Sequence, residues 1–596
     1  MPVGIAWRSA RRPVLLLAVV ALAGAAAPVL AAWATRGTLD RIAAGAPLSG
    51  LVTLALVLAV AGLATSTLPQ VEQFLQAEVG RVTNLASAER LHQAVSRFTG
   101  LGRFEDPPFL DRLRMAGEGE RAAGQIVGSG LGSIRSLLAL GGFLGSLLVL
   151  SPVMTLVVLV AAVPTLVAEF RLSRARADMT FDISPVERRE LFYRTLLTSA
   201  DAAKEIRLFG ISAFLRMRML TERRTADEAR RRLDRRDLFT QGGLALFGAL
   251  VAGGGLVWAV RAARQGHLSI GDVSLFLLAT SGVQTALASA ISQLALVHHQ
   301  LLTFGHFRAV VTAVPDLPLA VEPRAVPPME RGIVLRDVWF RYSPEASWAL
   351  RGVSLTIPHG RATALVGRNG SGKSTLIKLL CRFYDPERGA VYWDGVDVRD
   401  LDPAALRDRI TAVFQDFVEY DLTAGENIGL GDLTGMADEE RIRAAARRAG
   451  IDAELAGLPA GYRTLLSRMF FTEADREDPS TGVVLSGGQW QRIAVARAFL
   501  RDQRDLMILD EPSAGLDAEA EYQIHAGLRE HRAGRTSLLI SHRMGSLRDA
   551  DHILVLDGGE LVEQGTHPEL LAVGGVYAHL FRLQAAGYAD EAVVVS

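Results

Sequence analysis

The first 300 residues contain six stretches that are long, apolar and almost free of charged residues. They run over residues 13–34, 48–70, 126–150, 152–170, 241–260 and 272–297. The hydrocarbon core of a bilayer is about 30 Å thick, so a helix needs about 20 residues to cross it. Each stretch is long enough to do so. The sequence therefore predicts an α-helical region with six membrane-spanning helices.

The chain changes character after residue 330, where the apolar runs become short and alternate with polar and glycine-rich segments. This pattern is typical of a soluble α/β domain. Five prolines crowd residues 315–328 and disfavour a continuing helix there. We therefore predict three parts, a transmembrane domain over residues 1–305, a linker over 306–330 and a soluble domain of the α/β class over 331–596.

The first apolar stretch also resembles a signal peptide, because three arginines precede it and Ala25–Ala27 resembles a cleavage site. The apolar core of a signal peptide is only about 7–15 residues long, which is shorter than residues 13–34. Five further apolar stretches follow. A membrane span is therefore the favoured interpretation.

The connections between the apolar stretches are unequal. Residues 76–125 and 171–238 are long and rich in charged side chains, many of them arginine, whereas the other connections are short. Arginine-rich loops stay on the cytoplasmic side of a membrane. Six spans then place both termini in the cytoplasm. We predict a multi-pass protein of the cell membrane, in a bacterial plasma membrane.

The charge of the whole chain is balanced, with 64 basic and 64 acidic side chains. A protein dedicated to nucleic acids would have a strong basic excess, so no nucleic-acid partner is expected. The single cysteine, Cys381, excludes a disulfide scaffold and a cysteine-built metal site. The only lysines are Lys204, Lys373 and Lys378, so a lysine inside a motif is informative.

A phosphate-binding motif lies at residues 367–374, which read GRNGSGKS and fit the pattern G-x-x-x-x-G-K-[ST]. An apolar run before it predicts a strand, and the residues after it predict a helix. Glycines let backbone N–H groups surround phosphates, and the helix N-terminus adds its positive end. We expect Lys373 to reach the β- and γ-phosphates and the Ser374 hydroxyl to bind Mg²⁺.

Two acidic residues follow an apolar run at residues 506–509, which predicts a buried strand. A carboxylate at such a strand end holds Mg²⁺, and this role fits Asp510. Glu511 comes next and would act as the general base for the attacking water. An ordinary strand end is an equally good interpretation of this pattern alone. Its position in the same domain as the phosphate motif favours the catalytic interpretation.

A second anion-binding turn precedes a predicted helix and consists of Ser486, Gly487, Gly488 and Gln489. One ATP does not need two phosphate cradles in one domain. A symmetric dimer resolves the excess, because the second cradle of one subunit can cover the nucleotide of the other.

Together these motifs resemble those of ABC transporters of the exporter type, in which six spans are fused to one ATPase domain. Residues 485–489 match the signature motif of that family, and the resemblance covers nearly all 596 residues. It implies ATP as the nucleotide, Mg²⁺ as the cofactor and an ATP hydrolase activity. It also implies a dimer in which each ATP lies between Lys373 of one chain and Ser486 of the other.

The resemblance adds four residues to the candidate site. Tyr342 resembles the aromatic residue that stacks on adenine, and Gln415 resembles the glutamine that contacts Mg²⁺. Asp517 lies in a segment similar to the loop that links the two sites of a dimer, and His542 resembles the histidine at the γ-phosphate. The candidate catalytic residues are Lys373, Glu511 and His542, and the candidate metal ligands are Ser374, Gln415 and Asp510. The candidate ATP-binding residues are Tyr342, Gly367, Arg368, Asn369, Gly370, Ser371, Gly372, Lys373, Ser374, Thr375, Gln415, Ser486, Gly487, Gly488, Gln489 and Asp517.

Two segments of the membrane half resemble coupling helices, which press on the ATPase domain in this family. They are residues 104–109 and 201–207, and an ordinary charged helix end is the alternative for each. Residues 466–484 depart from the family by forming a longer, acidic segment. This segment is interpreted either as a salt-sensitive contact with the arginine-rich loop or as a solvated surface loop.

The resemblance predicts ATP-driven export by alternating access. The sequences of residues 413–417, 426–428 and 485–491 are similar to those of lanthipeptide and other peptide exporters. The first candidate cargo is therefore a peptide or peptide-like natural product. Export of drugs or lipids, and import of metal chelates on the same fold, are the alternatives. The expected partners are a second copy, with a heterodimer as the alternative, membrane lipids and the cargo.

Two other function classes compete with transport. A soluble ATPase acting on DNA or ribosomes would share the phosphate motifs but not the six apolar stretches. A membrane receptor or scaffold with an inactive ATPase domain stays an alternative. Glu72 and Glu169 lie near the inner ends of their apolar stretches, and we expect both to be solvated. The three histidines near the end of the sixth stretch are interpreted as helix-face residues rather than metal ligands.

Overall fold

A computed structural model describes residues 1–467, 482–513, 534–541 and 547–584, together with 521, 524 and 526–528. The chain divides into two compact units. The first contains residues 1–96 and 108–313, and the second contains residues 97–107 and 314–596. The limits that the sequence predicts for the domains and the linker stay predictions.

The first unit is helical throughout. Its helices are α1 (Pro2–Ser9), α2 (Arg11–Ala43), α3 (Leu48–Ser96), α4 (Pro107–Leu150), α5 (Pro152–Thr198), α6 (Ala200–Leu208), α7 (Ser212–Arg264) and α8 (Ile270–Val311). Six of them, all but α1 and α6, contain a segment long and apolar enough to cross a membrane. Each of the six predicted spans lies inside one of these helices.

The two long charged connections are mainly helical. Residues 76–125 belong largely to α3 and α4, and residues 171–238 belong largely to α5, α6 and α7. Arginine, glutamate and alanine are good helix formers and continue a helix into water unless glycine or proline interrupts it. The apolar stretches therefore cover only part of each helix.

Small residues bring the long helices of this unit close together. A Cβ on Gly124 of α4 would lie 2.9 Å from the Cα of Gly80 on α3, and one on Gly119 would lie 2.7 Å from the carbonyl oxygen of Thr303 on α8. Small residues at such crossings permit close packing where no hydrophobic effect drives helices together. Phe143, Leu147 and Phe276 belong to a buried apolar cluster of the same unit.

A polar contact joins α2 to the beginning of α8. The side chain of Ser269 and the carboxylate of Asp272 form a capping box at the N-terminus of α8. Arg36 of α2 reaches Asp272 at 2.8 Å, and Asp40 accepts a hydrogen bond from the backbone N–H of Gly271 at 2.9 Å. These contacts hold the two helix ends together.

One expectation about membrane carboxylates is wrong. Glu72 of α3 is 7% exposed rather than solvated, and its carboxylate forms an ion pair with Arg135 of α4. Burial of a carboxylate requires a compensating charge, and the sequence alone does not show that Arg135 supplies it. The side chain of Glu169 lies outside the described residues.

The second unit is of the α/β class. Its strands are β1 (Gly332–Phe340), β2 (Leu350–Pro358), β3 (Ala362–Gly367), β4 (Arg388–Trp393), β5 (Val396–Asp397), β6 (Ile410–Val413), β7 (Leu506–Asp510), β8 (Thr536–Ile540), β9 (His552–Asp557) and β10 (Glu560–Gly565). Its described α-helices with defined limits are α9 (Lys373–Leu380), α10 (Pro403–Asp408), α11 (Ala424–Gly429), α12 (Glu439–Arg448), α13 (Asp452–Ala456), α14 (Gly487–Leu500) and α15 (His567–Val573).

The strands of the second unit form two sheets. An antiparallel sheet has the order β2-β1-β4-β5, and a larger sheet has the order β10-β9-β3-β8-β7-β6. In the larger sheet β9, β3, β8, β7 and β6 are parallel, and β10 is the antiparallel edge. Parallel strands end at the same edge of a sheet, where α/β proteins bind their ligands. This edge positions the candidate site.

Candidate nucleotide-binding site

The phosphate motif folds as the turn between β3 and α9. Gly370 and Gly372 have φ angles of +79° and +102°, which favour glycine. A Cβ on Gly372 would also lie 2.8 Å from the carbonyl oxygen of Ala349. The loop therefore depends on glycine both for its conformation and for space. It begins at the end of a buried strand and ends at a helix N-terminus, which is the arrangement that binds phosphate groups.

Lys373 and Ser371 are buried inside this loop. The Lys373 ammonium donates hydrogen bonds to the carbonyl oxygens of Gly367 and Arg368 at 2.8 and 3.0 Å. Burial lowers the pKa of Lys373, although the charges of Glu511 and Asp510 oppose the shift. The Ser371 hydroxyl is buried without a hydrogen-bond partner among the described residues. A buried polar group of this kind fits a phosphate oxygen as its missing partner.

The acidic pair lies at the same edge of the sheet. Asp510 is the last residue of β7 and is buried, and burial together with the charge of Glu511 raises its pKa to about 6. Glu511 has a φ of +52°, and its N–H donates to the carbonyl oxygen of Ile540 at 2.9 Å. A non-glycine residue in the left-handed region is strained, and such strain is concentrated at functional sites.

Gln491 is a residue that sequence reasoning did not assign to the site. It lies on α14, is 4% exposed, and its side-chain amide donates to the carbonyl oxygen of Glu511 at 3.0 Å. This bond fixes the backbone on the carboxyl side of the strained residue. Only the packing of α14 against the sheet brings the two residues together, since they are twenty positions apart in the chain.

Tyr342 lies beside the phosphate loop. Its hydroxyl is 3.0 Å from the hydroxyl of Thr375 on α9, and its ring packs edge-on against Phe340 and Tyr384. The ring is 45% exposed. An exposed aromatic ring held next to a phosphate loop can stack on a nucleotide base.

The three candidate metal ligands share the carboxyl edge of the large sheet. Ser374 follows β3 by way of the phosphate loop, Gln415 follows β6, and Asp510 ends β7. Ser374 and Gln415 are exposed and Asp510 is buried. A hydroxyl, an amide carbonyl and a carboxylate are oxygen donors, which is the donor chemistry that Mg²⁺ prefers. The residues present therefore fit this metal.

The second anion-binding turn forms the N-terminus of α14. Ser486 and Gln489 make a capping box, in which the Ser486 N–H donates to the Gln489 side chain at 2.9 Å. Gly487 is exposed, and a Cβ on it would meet nothing within 4 Å. In the described part of the chain, Ser486 and Gln489 bind each other and not the phosphate loop. The turn therefore presents an open helix N-terminus.

Some candidate residues cannot be placed. Asp517, His542 and residues 468–481 of the acidic segment lie outside the described residues. Their predicted roles stay predictions. Thr375 is buried, whereas Arg368 and Asn369 are exposed at the tip of the phosphate loop.

Residues 97–107 connect α3 with α4 in the chain and pack within the second unit. The Glu105 carboxylate binds the Lys378 ammonium at 2.6 Å and accepts a hydrogen bond from the Tyr384 hydroxyl. Burial raises the pKa of Glu105, but the bonds from Lys378 and Tyr384 outweigh it and the net shift is downward.

The contacts of Glu105 lead directly to the candidate nucleotide site. Lys378 belongs to α9, the helix that follows the phosphate loop, and its ammonium is 5.0 Å from the centre of the Tyr342 ring. This distance permits a cation–π interaction. The segment 97–107 is thus linked through one lysine to both the phosphate helix and the exposed aromatic ring.

Comparison with known proteins agrees with this geometry. The sequence model of the ABC transporter family matches residues 350–514, which include the phosphate loop, the signature motif and the acidic pair. Residues 350–514 form an ABC transporter ATPase domain. The predicted ATPase domain is confirmed, and a domain of this type binds ATP.

Several curated proteins are similar to part of the chain. The mitochondrial potassium channel ATP-binding subunit of Xenopus tropicalis is 38% identical over 57% of this chain and 46% of its own length. An ATP-dependent lipid A-core flippase of Alkalilimnicola ehrlichii is 43% identical over 43% of this chain and 42% of its own. The cyclolysin secretion/processing ATP-binding protein CyaB of Bordetella pertussis is 41% identical over 45% of this chain and 35% of its own. The chain thus spans about half or less of the length of these relatives.

A solved structure matches almost the whole fold. It is that of a bacterial Atm1-family ABC exporter with ATP bound, with a TM-score of 0.80 and 23% identity over 96% of this chain and 98% of that chain. The predicted fold class is confirmed, and the fold of the chain is that of an ABC exporter. The six apolar helices of this chain are long and apolar enough for a multi-pass membrane protein.

The contacts of Glu105 predict a local loss of stability in the variant Glu105→Gln. This change removes the charge that binds Lys378, which costs on the order of 1 kcal/mol for a partly exposed pair. The backbone N–H of Leu101, bonded to the Phe383 carbonyl, and that of Gly100, bonded to Asp316, should then exchange with deuterium severalfold faster. Hydrogen–deuterium exchange of the full chain in detergent measures this.

The matched control for this experiment is Glu387→Gln. Glu387 forms an ion pair with Arg341 elsewhere in the second unit, so its loss should leave the exchange of Gly100 and Leu101 unchanged. Equal exchange in the Glu105 variant and the native chain would show that the ion pair does not hold this segment.

Proposed function

We propose that this protein exports its cargo across a membrane by alternating access, driven by ATP binding and hydrolysis at the interface of a dimer. The observation that carries the proposal is the meeting of Lys373, Asp510 and Glu511 at one sheet edge in a chain that also contains six apolar helices. The proposed location is a bacterial plasma membrane, with both termini in the cytoplasm.

The proposed site divides binding and chemistry among its residues. Residues 367–375 hold the phosphates of ATP through backbone N–H groups, Lys373 binds the β- and γ-phosphates, and Tyr342 stacks on the adenine. Glu511 is the general base that orients and deprotonates the attacking water. Its strained backbone, tied to Ile540 and to Gln491, supports this role. His542 is proposed to contact the γ-phosphate.

Mg²⁺ is proposed to be held by Ser374, Gln415 and Asp510. When bound, it supplies positive charge that neutralises the phosphate oxygens. The chain contributes the orientation of these oxygen donors and the exclusion of water around buried Asp510. Because the pKa of Asp510 is raised to about 6, protons compete with the cation for this carboxylate near pH 6 and below.

The dimer is proposed to consist of two copies of this chain. The open N-terminus of α14, formed by residues 486–489, has backbone N–H groups that can bind the γ-phosphate held by the other copy. Asp517 is proposed to lie in the segment that links the two sites. A heterodimer is the alternative, and the complete set of catalytic residue types in one chain favours the homodimer.

The cargo has two supported classes. The similarity of the motif sequences to those of peptide exporters favours a peptide or peptide-like natural product. One relative is named for cyclolysin secretion. Another is named as a lipid A-core flippase, which supports a lipid or drug as the cargo equally well. The import of a metal chelate is a third possibility on the same fold.

The proposed catalytic role of Glu511 predicts that the variant Glu511→Gln keeps ATP binding and loses ATP hydrolysis. ATP binding should be within about threefold of the native protein, because glutamine keeps the shape of the side chain. The rate of ATP hydrolysis in lipid should fall by at least about 100-fold, since the general base is lost. The control Glu560→Gln removes an exposed carboxylate of β10 and should keep the native rate. Substantial residual hydrolysis in the Glu511 variant would remove Glu511 from this role.

The pKa of Asp510 predicts a pH dependence of metal-assisted binding. Because this pKa is raised to about 6, the carboxyl is protonated below pH 6 and ionised above it. The gain in ATP affinity on adding Mg²⁺ should be full at pH 8 and fall as the pH drops through about 6. In Asp510→Asn, the gain in ATP affinity on adding Mg²⁺ should be small at every pH. The protonation of ATP itself affects both proteins alike. An identical pH midpoint in the two proteins would contradict the assignment.

Transport itself is tested with the native chain in sealed vesicles of known orientation. Export predicts ATP-dependent movement of a cargo away from the side that carries the ATPase domain, and none with Glu511→Gln. A tracer peptide and a fluorescent lipid, assayed in parallel, separate the two cargo classes. Accumulation on the ATPase side would make the protein an importer, and hydrolysis without movement of any cargo would favour the receptor or scaffold alternative.

A further inference from the structure

The first unit contains a cavity of about 470 Å³ between α2, α3, α4 and α8. Pockets that bind drug-sized molecules have volumes of about 300–1,000 Å³, so the cavity accepts a molecule of that size or one end of a larger molecule. It lies within the helices that contain the six apolar segments. Transporters bind their cargo in cavities between membrane helices.

The walls of the cavity combine apolar surface with a few polar side chains. Pro28, Phe143 and Leu278 contribute to the apolar part. The polar part consists of Arg135 and of serine and threonine hydroxyls, and no carboxylate lines the cavity among the described residues. Arginine has five N–H donors and no acceptor. The cavity therefore favours a molecule with an apolar body and an acceptor-rich or anionic end.

Arg135 is the charged group that the cavity exposes, and it has a defined partner. Its guanidinium donates to Glu72 of α3, and 28% of its side chain stays exposed. The other oxygen of the Glu72 carboxylate accepts a hydrogen bond from Gln76 at 3.1 Å. A charged residue inside a membrane span has a high free-energy cost. Such a residue that faces a cavity is a candidate functional residue.

Within the described residues, Arg135 binds Glu72 through its Nη1 nitrogen. A Cβ placed on Gly24 of α2 would lie 3.4 Å from the Cδ of Arg135, so the arginine stem packs against the bare backbone of Gly24. The hydroxyls of Ser136 and Ser289, 2.9 Å apart, also line the cavity. The carboxylate of Glu72 uses only part of the hydrogen-bonding capacity of the guanidinium.

We propose that this cavity is the cargo site and that it selects amphipathic molecules with an anionic end, a carboxylate or a phosphate, which binds Arg135. Glu72 is then the internal competitor for Arg135. It keeps the arginine neutralised in the membrane before the cargo arrives, and it weakens the binding of the anion that replaces it. The inference rests on the proposed transport function and narrows its cargo class to anionic amphiphiles.

The competition between Glu72 and the cargo predicts effects of opposite sign. Arg135→Gln removes the cation and should weaken binding of an anionic probe about tenfold, the scale of one charge-assisted hydrogen bond. Glu72→Gln removes the competitor, keeps the side-chain shape, and should strengthen binding severalfold. If the ion pair only held α3 to α4, both variants would weaken binding alike. The double variant should lose the preference for anions.

The experiment uses the full chain in lipid nanodiscs and three radiolabelled probes whose hydrocarbon chains have the same number of carbons. N-dodecanoylglycine carries a carboxylate, dodecyl phosphate carries a phosphate, and N-dodecanoylglycinamide is the neutral match. Equilibrium binding is measured without ATP, so that a failure of the ATPase or of transport does not affect the result. Preference for either anionic probe over the amide supports the proposal and identifies the head group.

The control variant is Arg81→Gln, which removes an exposed arginine of α3 that pairs with Glu78 on the same helix and does not line the cavity. It should bind all three probes as the native chain does. Size-exclusion profiles and ATP binding show that each variant is folded. Equal binding of anionic and neutral probes by the native chain, or weaker anion binding in folded Glu72→Gln, would overturn the proposal.

Discussion

Burial of charge at one edge of a parallel sheet is the constraint on which the candidate site depends. The Lys373 ammonium is removed from water inside a glycine-rich loop, and its charge interacts with Asp510 and Glu511 at the end of β7. Each group carries a desolvation cost that its neighbours only partly offset. The lowered pKa of Lys373 and the raised pKa of Asp510 have this common origin. A nucleotide phosphate with its metal supplies the charges that complete the balance.

The same rule governs the helical unit, with a different outcome. Glu72 and Arg135 lie among apolar helices, where an isolated charge is expensive, and they neutralise each other. Glu72 is buried, as is typical of a carboxylate in a structural ion pair. Arg135 is a candidate binding group, because its side chain is partly exposed and lines the cavity. Partial exposure of one partner is what converts a compensated charge into a candidate recognition site.

The segment 97–107 connects two long helices but packs within the ATPase unit. Its Glu105 binds Lys378 at the far end of the phosphate helix, and Lys378 in turn lies under the Tyr342 ring. A movement of this segment would therefore act on the helix that carries the phosphate loop at its N-terminus. Because the chain has only three lysines, the use of two of them on this one helix is a feature of its function and not of its composition.

The sequence by itself determined the features that depend on local length and spacing. Six spans follow from the thickness of a bilayer, and the phosphate loop follows from glycines that permit positive φ next to a helix start. The order of strands that places Asp510 and Gln415 at the same sheet edge as that loop is visible only in the tertiary structure. Tertiary structure alone decided that Glu72 is buried against Arg135, that Gln491 holds Glu511, and that Glu105 meets Lys378. These partners are 20 to 273 residues apart, and no periodicity or motif encodes a contact that arises only when separate elements pack.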